Sequence, residues 1–388
     1  MSKKNLAYIN PEMLKWARSE TPFKCISDVV IRISKLAYED VESWENGDSL
    51  PSITEAKVLA KLYDVPFACL YFSEVPKKKP RPYTDRRTRT GTFFEDMSYE
   101  LWCETRRIMS NRETALDVAP DLSSVYDVLP TIDITESTAS VATKIREYLD
   151  VKTPFQYKTH YGNAAFNYFR DKFESKGIMV TQLSGISTDE IRGLSIYFDT
   201  LPIIAVNNRD WERAKVFTLF HEMAHLLRRS SSLCLINFDE HDDDEEKICD
   251  RIAAEALLPE ESFRTVSAKI QGDDDGWDDL CLMKIADRYA VSTVVVLRRL
   301  YDLKIIDRAY YQKRYSALSA GFEANRYKQK GTVPVDYHYR FLNKQGYLFP
   351  RILLSAYSNG NISYGEMCKS LNVNTSHISS IEQVVMFK

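Results

Sequence analysis

The chain has 388 residues and a formal net charge of −3, and 44% of its residues are hydrophobic. This length allows two or three domains with sizeable cores, and the charge excludes a global excess of basic residues of the kind that binds nucleic acid. No apolar run is long enough to span a membrane, and residues 1–6 lack the apolar core of a signal peptide. The seven scattered cysteines form no CxxC pair, so we expect a reducing, cytoplasmic location.

The first part of the chain, residues 9–72, predicts a compact bundle of short helices. Gly47 is the expected stop of one helix, because glycine readily adopts the left-handed conformation that ends helices. Residues 55–63 carry apolar side chains at helical spacing and predict a further helix. The stretch 76–92 is basic and rich in proline, so it predicts an extended linker and the clearest domain boundary.

Helices and a small sheet are predicted in the middle of the chain. Apolar periodicity predicts three helices, over residues 99–118, 138–149 and 163–176. Runs of β-branched and aromatic residues between turn formers predict three strands, over residues 178–183, 193–198 and 203–206. A helix should begin near Trp211. A second helix should follow the acidic run from Asp239 to Glu246 and end near Leu257.

The last third of the chain is predicted to be mostly helical, with helix-turn-helix patterns at 286–300 and 362–381. The fold class is therefore α+β and mainly helical. We expect four parts: a helical domain over residues 1–75, the linker over 76–92, a second domain over 93–305 and a helical region over 306–388.

The most informative motif is HEMAH, which is formed by His221, Glu222, Met223, Ala224 and His225 in a run of helical pattern. Residues four apart lie on the same face of a helix, so the two imidazoles can reach one metal ion. The glutamate between them can point toward a metal-bound water. This set of residues predicts zinc-assisted hydrolysis, with Zn²⁺ bound by His221 and His225 and with Glu222 as the general base.

A third metal ligand must come from elsewhere in the chain, because catalytic zinc sites take three protein ligands and leave one position open. Glu246, Cys249, Asp250 and Ala253 share one face of the helix that follows the motif, and small residues on that face allow close packing. We expect Glu246 to bind the metal. Asp250, one turn further on, is expected to accept the free ring N–H of a ligand histidine and so fix its orientation.

The nearest rival for third ligand is Glu245. The helix face of Glu245 holds Ile248, Cys249 and Ile252. This face is more apolar and lacks a following aspartate, so the facing argument favours Glu246. His241 and Asp242 are weaker rivals, because the acidic run before the helix is expected to be solvated.

Several segments around the motif resemble the ImmA/IrrE metallopeptidases. The matching segments are the strands at 192–195 and 202–207, the motif helix from Phe217 to His225, the block from Glu246 to Pro259 and the segment from Ile285 to Leu300. Cys249, Asp250 and Ala224 stand where the family pattern has Ala, Asn and Gly. Each of these changes keeps the residue small or supplies an equivalent polar group.

The resemblance implies a gluzincin-like peptidase domain with a small sheet, in which His221, His225 and Glu246 bind Zn²⁺, with Mn²⁺ as the alternative metal. Glu222 would be the general base, and Asp250 would hold a ligand histidine. Members of the family relieve repression by acting on regulatory proteins. We therefore expect an endopeptidase whose substrate is a regulatory protein such as a transcriptional repressor, in stress response or in the control of mobile elements.

Two features of substrate handling stay open at this stage. The strand formed by Ile203, Ile204, Ala205 and Val206 is expected either to pair with an extended substrate or to be an interior strand without a free edge. For the group that stabilises the oxyanion, the candidates are His160, Tyr197 and Arg213, each of which has a packing role as its simpler interpretation.

The N-terminal segment resembles an XRE-type helix-turn-helix domain, but its charge argues against DNA binding. Residues 1–75 hold nine Lys or Arg and eleven Asp or Glu, and the presumptive recognition helix carries Glu39, Asp40 and Glu42 with no basic residue. We expect a degenerate domain that binds a protein, such as a helix-turn-helix repressor. The alternative functions are a non-proteolytic antirepressor or adaptor and a DNA-binding transcription regulator, each with a zinc-stabilised fold.

Overall fold

The structure is a computed structural model that describes residues 5–76, 97–152, 164–229, 232–234, 244–271, 276–326 and 335–386. It divides into two compact units, Met1–Arg107 and Ile108–Lys388. Apart from Pro76, the predicted linker over residues 76–92 lies outside the described residues, which resume at Met97. The domain boundaries expected near residues 75, 92 and 305 stay predictions.

The first unit is built from short helices, as the sequence predicts. They are α1 (Pro11–Ser19), α2 (Ile26–Arg32), α3 (Tyr38–Asn46), α4 (Ile53–Leu62) and the first half of α5 (Tyr99–Val118), with a 3₁₀ turn at Phe67–Tyr71. Gly47 ends α3 in the left-handed conformation with a φ of 81°, which confirms the predicted stop. Ser52 and Glu55 form a capping box that starts α4.

A buried ion pair joins α1 to α3 inside this unit. Arg18 donates two hydrogen bonds to the carboxylate of Glu45, at 2.8 and 2.9 Å. This carboxylate is buried, and the paired geometry offsets the cost of removing its charge from water. Glu45 therefore has a structural role, unlike the exposed acidic residues of the same helix.

The second unit is mainly helical. After the second half of α5, the described helices before the motif are α6 (Leu122–Val125), α7 (Thr138–Tyr148) and α8 (Ala164–Ser175), and the motif helix is α9 (Glu212–Leu227). Those that follow are α10 (Asp244–Leu257), α11 (Glu260–Gln271), α12 (Asp279–Tyr289), α13 (Thr293–Asp302), α14 (Arg308–Arg326), α15 (Tyr337–Gln345), α16 (Leu348–Ser358), α17 (Tyr364–Leu371) and α18 (Ile378–Met386). None of the helices in the described ranges is long and apolar enough to cross a bilayer.

A small sheet lies against these helices. Its strands within the described residues are β1 (Met179–Leu183), β2 (Gly193–Ile196), β3 (Ile203–Asn207) and β4 (Ser232–Cys234), in the spatial order β1-β3-β2-β4. The first three confirm the predicted strands. β3 runs parallel to β1 and antiparallel to β2, and β4 pairs antiparallel with β2.

The position of β3 corrects one expectation from the sequence. Ile203, Ile204, Ala205 and Val206 are paired with β1 on one side and with β2 on the other, so their backbone groups have no free edge for a substrate. The four side chains are fully buried in the core. The expectation that this strand is a substrate-binding edge is therefore wrong, and the interior alternative is correct.

The C-terminal segment docks closely on β1 and on the end of α8, around Gly346. Gly346 has a φ of 80° and a ψ of −179°, a conformation that is essentially restricted to glycine. A Cβ at this position would overlap the Glu174 carboxylate and the Val180 carbonyl oxygen. The same carboxylate accepts the backbone N–H of Tyr347 at 2.9 Å, and Thr181 Oγ1 donates to the Lys344 carbonyl at 2.6 Å.

We expect Gly346→Ala to destabilise the second unit by about 3 kcal/mol, because the methyl group adds overlap to backbone strain. Gly360→Ala is the matched control, since Gly360 also has a positive φ of 76° but a Cβ added to it would meet no atom within 4 Å. Its cost should be about 1 kcal/mol, from strain alone. Calorimetric unfolding measures both, and equal costs would contradict the docking contact.

Candidate metal centre

The HEMAH motif lies on α9 at the centre of the second unit. Its neighbours along the helix, Phe217, Leu219, Phe220, Leu226 and Leu227, belong to the hydrophobic core. The three polar motif residues are almost fully buried, with exposed fractions of 1% for His221, 0% for Glu222 and 1% for His225. Buried polar groups of this kind need partners, so the packing around α9 decides what the motif can do.

Glu246 on α10 faces both imidazoles. Its Oε2 lies 3.2 Å from His221 Nε2, and its Oε1 lies 3.6 Å from His225 Nε2. The two Nε2 atoms are 3.1 Å apart. Glu246 itself is 3% exposed. The three expected ligands therefore converge on one point between the packed helices α9 and α10.

These distances fit a tetrahedral zinc ion. Zinc bound at about 2.0–2.2 Å to nitrogen and oxygen ligands keeps those ligand atoms about 3.3–3.6 Å apart. Two distances share the atom His221 Nε2 and agree with that range to within 0.2 Å: 3.1 Å to His225 Nε2 and 3.2 Å to Glu246 Oε2. The 3.6 Å distance to His225 Nε2 is measured from the other carboxylate oxygen, Oε1. Two imidazoles and one carboxylate are also a donor set that catalytic zinc sites use, with the fourth position left for water. The residues present therefore fit the expected metal.

Asp250 occupies the position that the sequence predicts, beside a ligand histidine. Its Oδ1 lies 2.8 Å from His221 Nδ1. Because a carboxylate can only accept this hydrogen bond, Nδ1 of His221 carries a proton, and Nε2 is the ring nitrogen that faces Glu246. On the other ring, Cys249 Sγ lies 3.6 Å from His225 Nδ1.

The electrostatics of the site favour a cation. Burial alone raises the pKa of Glu246, but hydrogen bonds and charge interactions with His221 and His225 outweigh this effect and hold the pKa well below its ordinary value of 4.5. Glu246 is therefore a carboxylate at neutral pH. Burial raises the pKa of the Cys249 thiol, so this sulfur is uncharged and a weaker metal ligand than a thiolate.

The rival ligands are placed differently. Glu245 forms a bidentate ion pair with Arg228 at the end of α9. Arg228 donates from Nε to Oε1 and from Nη2 to Oε2, the latter at 2.7 Å. Glu245 also forms a second group of metal-binding residue types with His225 and Cys249. His241 and Asp242 lie outside the described residues.

The candidates for the oxyanion partner are not drawn together by the described structure. Tyr197 donates its hydroxyl hydrogen to Asp199 at 2.7 Å. The guanidinium of Arg213 pairs with Asp287, and Arg213 lies eight residues before His221, about 12 Å away along the helix axis. His160 lies outside the described residues.

Gly193 on β2 is a site residue whose role the sequence reasoning missed. A Cβ at this position would lie 2.8 Å from Glu222 Oε1 and would overlap the Thr218 methyl group. The absence of a side chain thus lets β2 approach the face of α9 that carries Glu222. The signal was present in the sequence, because a glycine inside a strand often marks the close approach of another group.

Comparison with known protein families agrees with this geometry. Residues 173–301, about a third of the chain, match the family model described as IrrE N-terminal-like domain (Peptidase_M78). The match supports the ImmA/IrrE resemblance and a metallopeptidase-type function, which implies a metal ion, typically zinc. No curated protein and no solved structure matches the chain.

Two neighbouring carboxylates provide a matched test of the ligand set. We expect Glu246→Gln to weaken zinc binding at least about 100-fold, because a charged ligand is replaced by a neutral amide. Glu245→Gln should change the affinity by less than about threefold, since it only weakens the pair with Arg228. Chelator competition at pH 7.5 measures both. A larger loss in Glu245→Gln would instead favour the second group of metal-binding residues.

Proposed function

We propose that this protein is a zinc-dependent endopeptidase that cleaves a regulatory protein such as a transcriptional repressor. The observation that carries the proposal is the convergence of His221, His225 and Glu246 with Glu222 next to the first histidine on the same helix. The family match over this segment supports the same reaction class. The arrangement is gluzincin-like, because the third ligand is a glutamate on the helix after the motif.

In the proposed reaction, the residues of the chain have separate roles. His221, His225 and Glu246 hold the metal, and Asp250 keeps His221 in the tautomer that carries its proton on Nδ1 and turns Nε2 toward the metal. The bound zinc supplies Lewis acidity, which lowers the pKa of water and polarises the scissile carbonyl. Glu222 accepts the proton of the attacking water and delivers it to the leaving amine.

We place the substrate along β4 rather than β3. β4 is the last strand of the described sheet on the side of β2, and β2 contains Gly193, which lies against Glu222. An extended peptide that pairs with the outer edge of β4 would gain backbone hydrogen bonds close to the proposed catalytic base.

The N-terminal unit supports the choice of a protein partner. α2 and α3 are joined by residues 33–37, an arrangement that resembles a helix-turn-helix. α3 exposes Glu39, Asp40 and Glu42, and we call these three residues the acidic face of α3. This face would repel phosphates but would attract a basic protein surface, such as the DNA-reading helix of a repressor.

We expect Glu222→Gln to lower cleavage of the target repressor by about 10²–10⁴-fold while it leaves zinc affinity within about threefold, because glutamine cannot act as a base. The measurement is co-expression of the chain with repressors encoded beside it, followed by detection of fragments and assay of the zinc content. Glu245→Gln is the control that should keep cleavage.

Co-expression and a DNA-binding assay together separate the alternative functions. An antirepressor that acts without proteolysis would relieve repression equally well as the Glu222→Gln variant, with the repressor intact. A DNA-binding regulator would instead give a salt-dependent, sequence-selective shift of DNA by the purified chain. The first result would contradict the endopeptidase proposal, and the second would contradict the proposal that the acidic face of α3 binds a protein.

A further inference from the structure

Three residues of α10 face the two imidazoles of α9. Glu246 lies on the Nε2 side of both rings, whereas Asp250 lies on the Nδ1 side of His221. Cys249, one residue before Asp250, lies on the Nδ1 side of His225, with its Sγ 3.6 Å from that nitrogen. Cys249 is fully buried. Each imidazole therefore has one residue of α10 beside its Nδ1.

The position of the sulfur defines what it can do. A neutral imidazole carries one ring proton, and His225 Nε2 can bind a metal only if that proton is on Nδ1. An Nδ1–H in a buried site needs an acceptor, and a thiol sulfur is a weak one. Because Cys249 lies beside Nδ1, it is on the opposite side of the ring from the point where the Nε2 atoms and Glu246 meet.

We propose that Cys249 is a positioning residue for the metal site: its sulfur accepts the Nδ1–H of His225 and so fixes the tautomer and ring orientation that present Nε2 to the metal. This role parallels that of Asp250 for His221. The inference rests on the proposed metal site, because it concerns the ring of His225 when its Nε2 binds the metal. It assigns a role to a residue that stands where the resembled family has alanine.

The test is the zinc affinity of a series of variants at position 249, measured by chelator competition. Cys249→Ala and Cys249→Val both remove the acceptor, one with a smaller and one with a bulkier side chain. Cys249→Ser keeps an acceptor in the place of the sulfur. Rescue by serine, which is close to alanine in size, separates the proposed role from a role in packing.

We expect Cys249→Ala and Cys249→Val to weaken zinc binding about 10-fold, within the range of residues that orient metal ligands, and Cys249→Ser to lie between them and the unmodified chain. Cys368→Ala is the matched control, because Cys368 is a buried cysteine on α17 and its substitution should leave zinc affinity unchanged.

Each outcome decides the inference. Unchanged zinc affinity in the alanine and valine variants would overturn it, because the ring would then need no acceptor at Nδ1. A serine variant as weak as the alanine variant would also overturn it, because the effect would then come from packing. Failure of the proposed metal site is read separately from Glu246→Gln, and failure of the peptidase proposal from Glu222→Gln, since the affinity measurement uses no substrate.

Discussion

The packing of α9 against α10 brings two imidazoles and a carboxylate together out of water, and the proposed chemistry depends on this contact. Isolated charges in such a place are costly, so they persist only when they are paired or when they bind a metal. Here Glu246 faces both imidazoles, and Asp250 and Cys249 face the other nitrogens of the same rings. The small side chain of Cys249 allows α10 to approach α9. The lack of a side chain at Gly193 allows β2 to approach α9.

Local patterns predicted much of this arrangement. The spacing of His221 and His225 and the facing of Glu246 and Asp250 on a second helix depend on helical periodicity, which short stretches of sequence display directly. The helix stop at Gly47 and the strands before the motif could also be predicted from short stretches of sequence. The convergence of the two helices could be expected only because small residues on α10 mark a close contact.

Non-local packing set the features that the sequence did not reveal. Whether β3 is an edge or an interior strand depends on the order of strands in the sheet. The apolar sequence of residues 203–206 is compatible with either position. The contact of Gly346 with Glu174 joins positions far apart in the chain, and no pattern near either residue indicates it. Cys249 looked like a neutral replacement because its partner, His225 Nδ1, lies on another helix.

The protein combines a buried candidate metal site in one unit with an exposed acidic helix in the other. In the proposed function both serve one kind of target, a regulatory protein with a basic surface, because the acidic face of α3 would repel the phosphates of DNA. Arg18 neutralises Glu45, so the acidic character of that face comes from Glu39, Asp40 and Glu42.

The most direct test of the metal site is the zinc K-edge X-ray absorption spectrum of the zinc-loaded protein. We predict a shell of nitrogen and oxygen atoms at about 2.0–2.2 Å that includes two imidazoles, with no sulfur. A sulfur atom at about 2.3 Å would contradict this assignment, because the metal would then lie with Cys249 in the second group rather than among His221, His225 and Glu246.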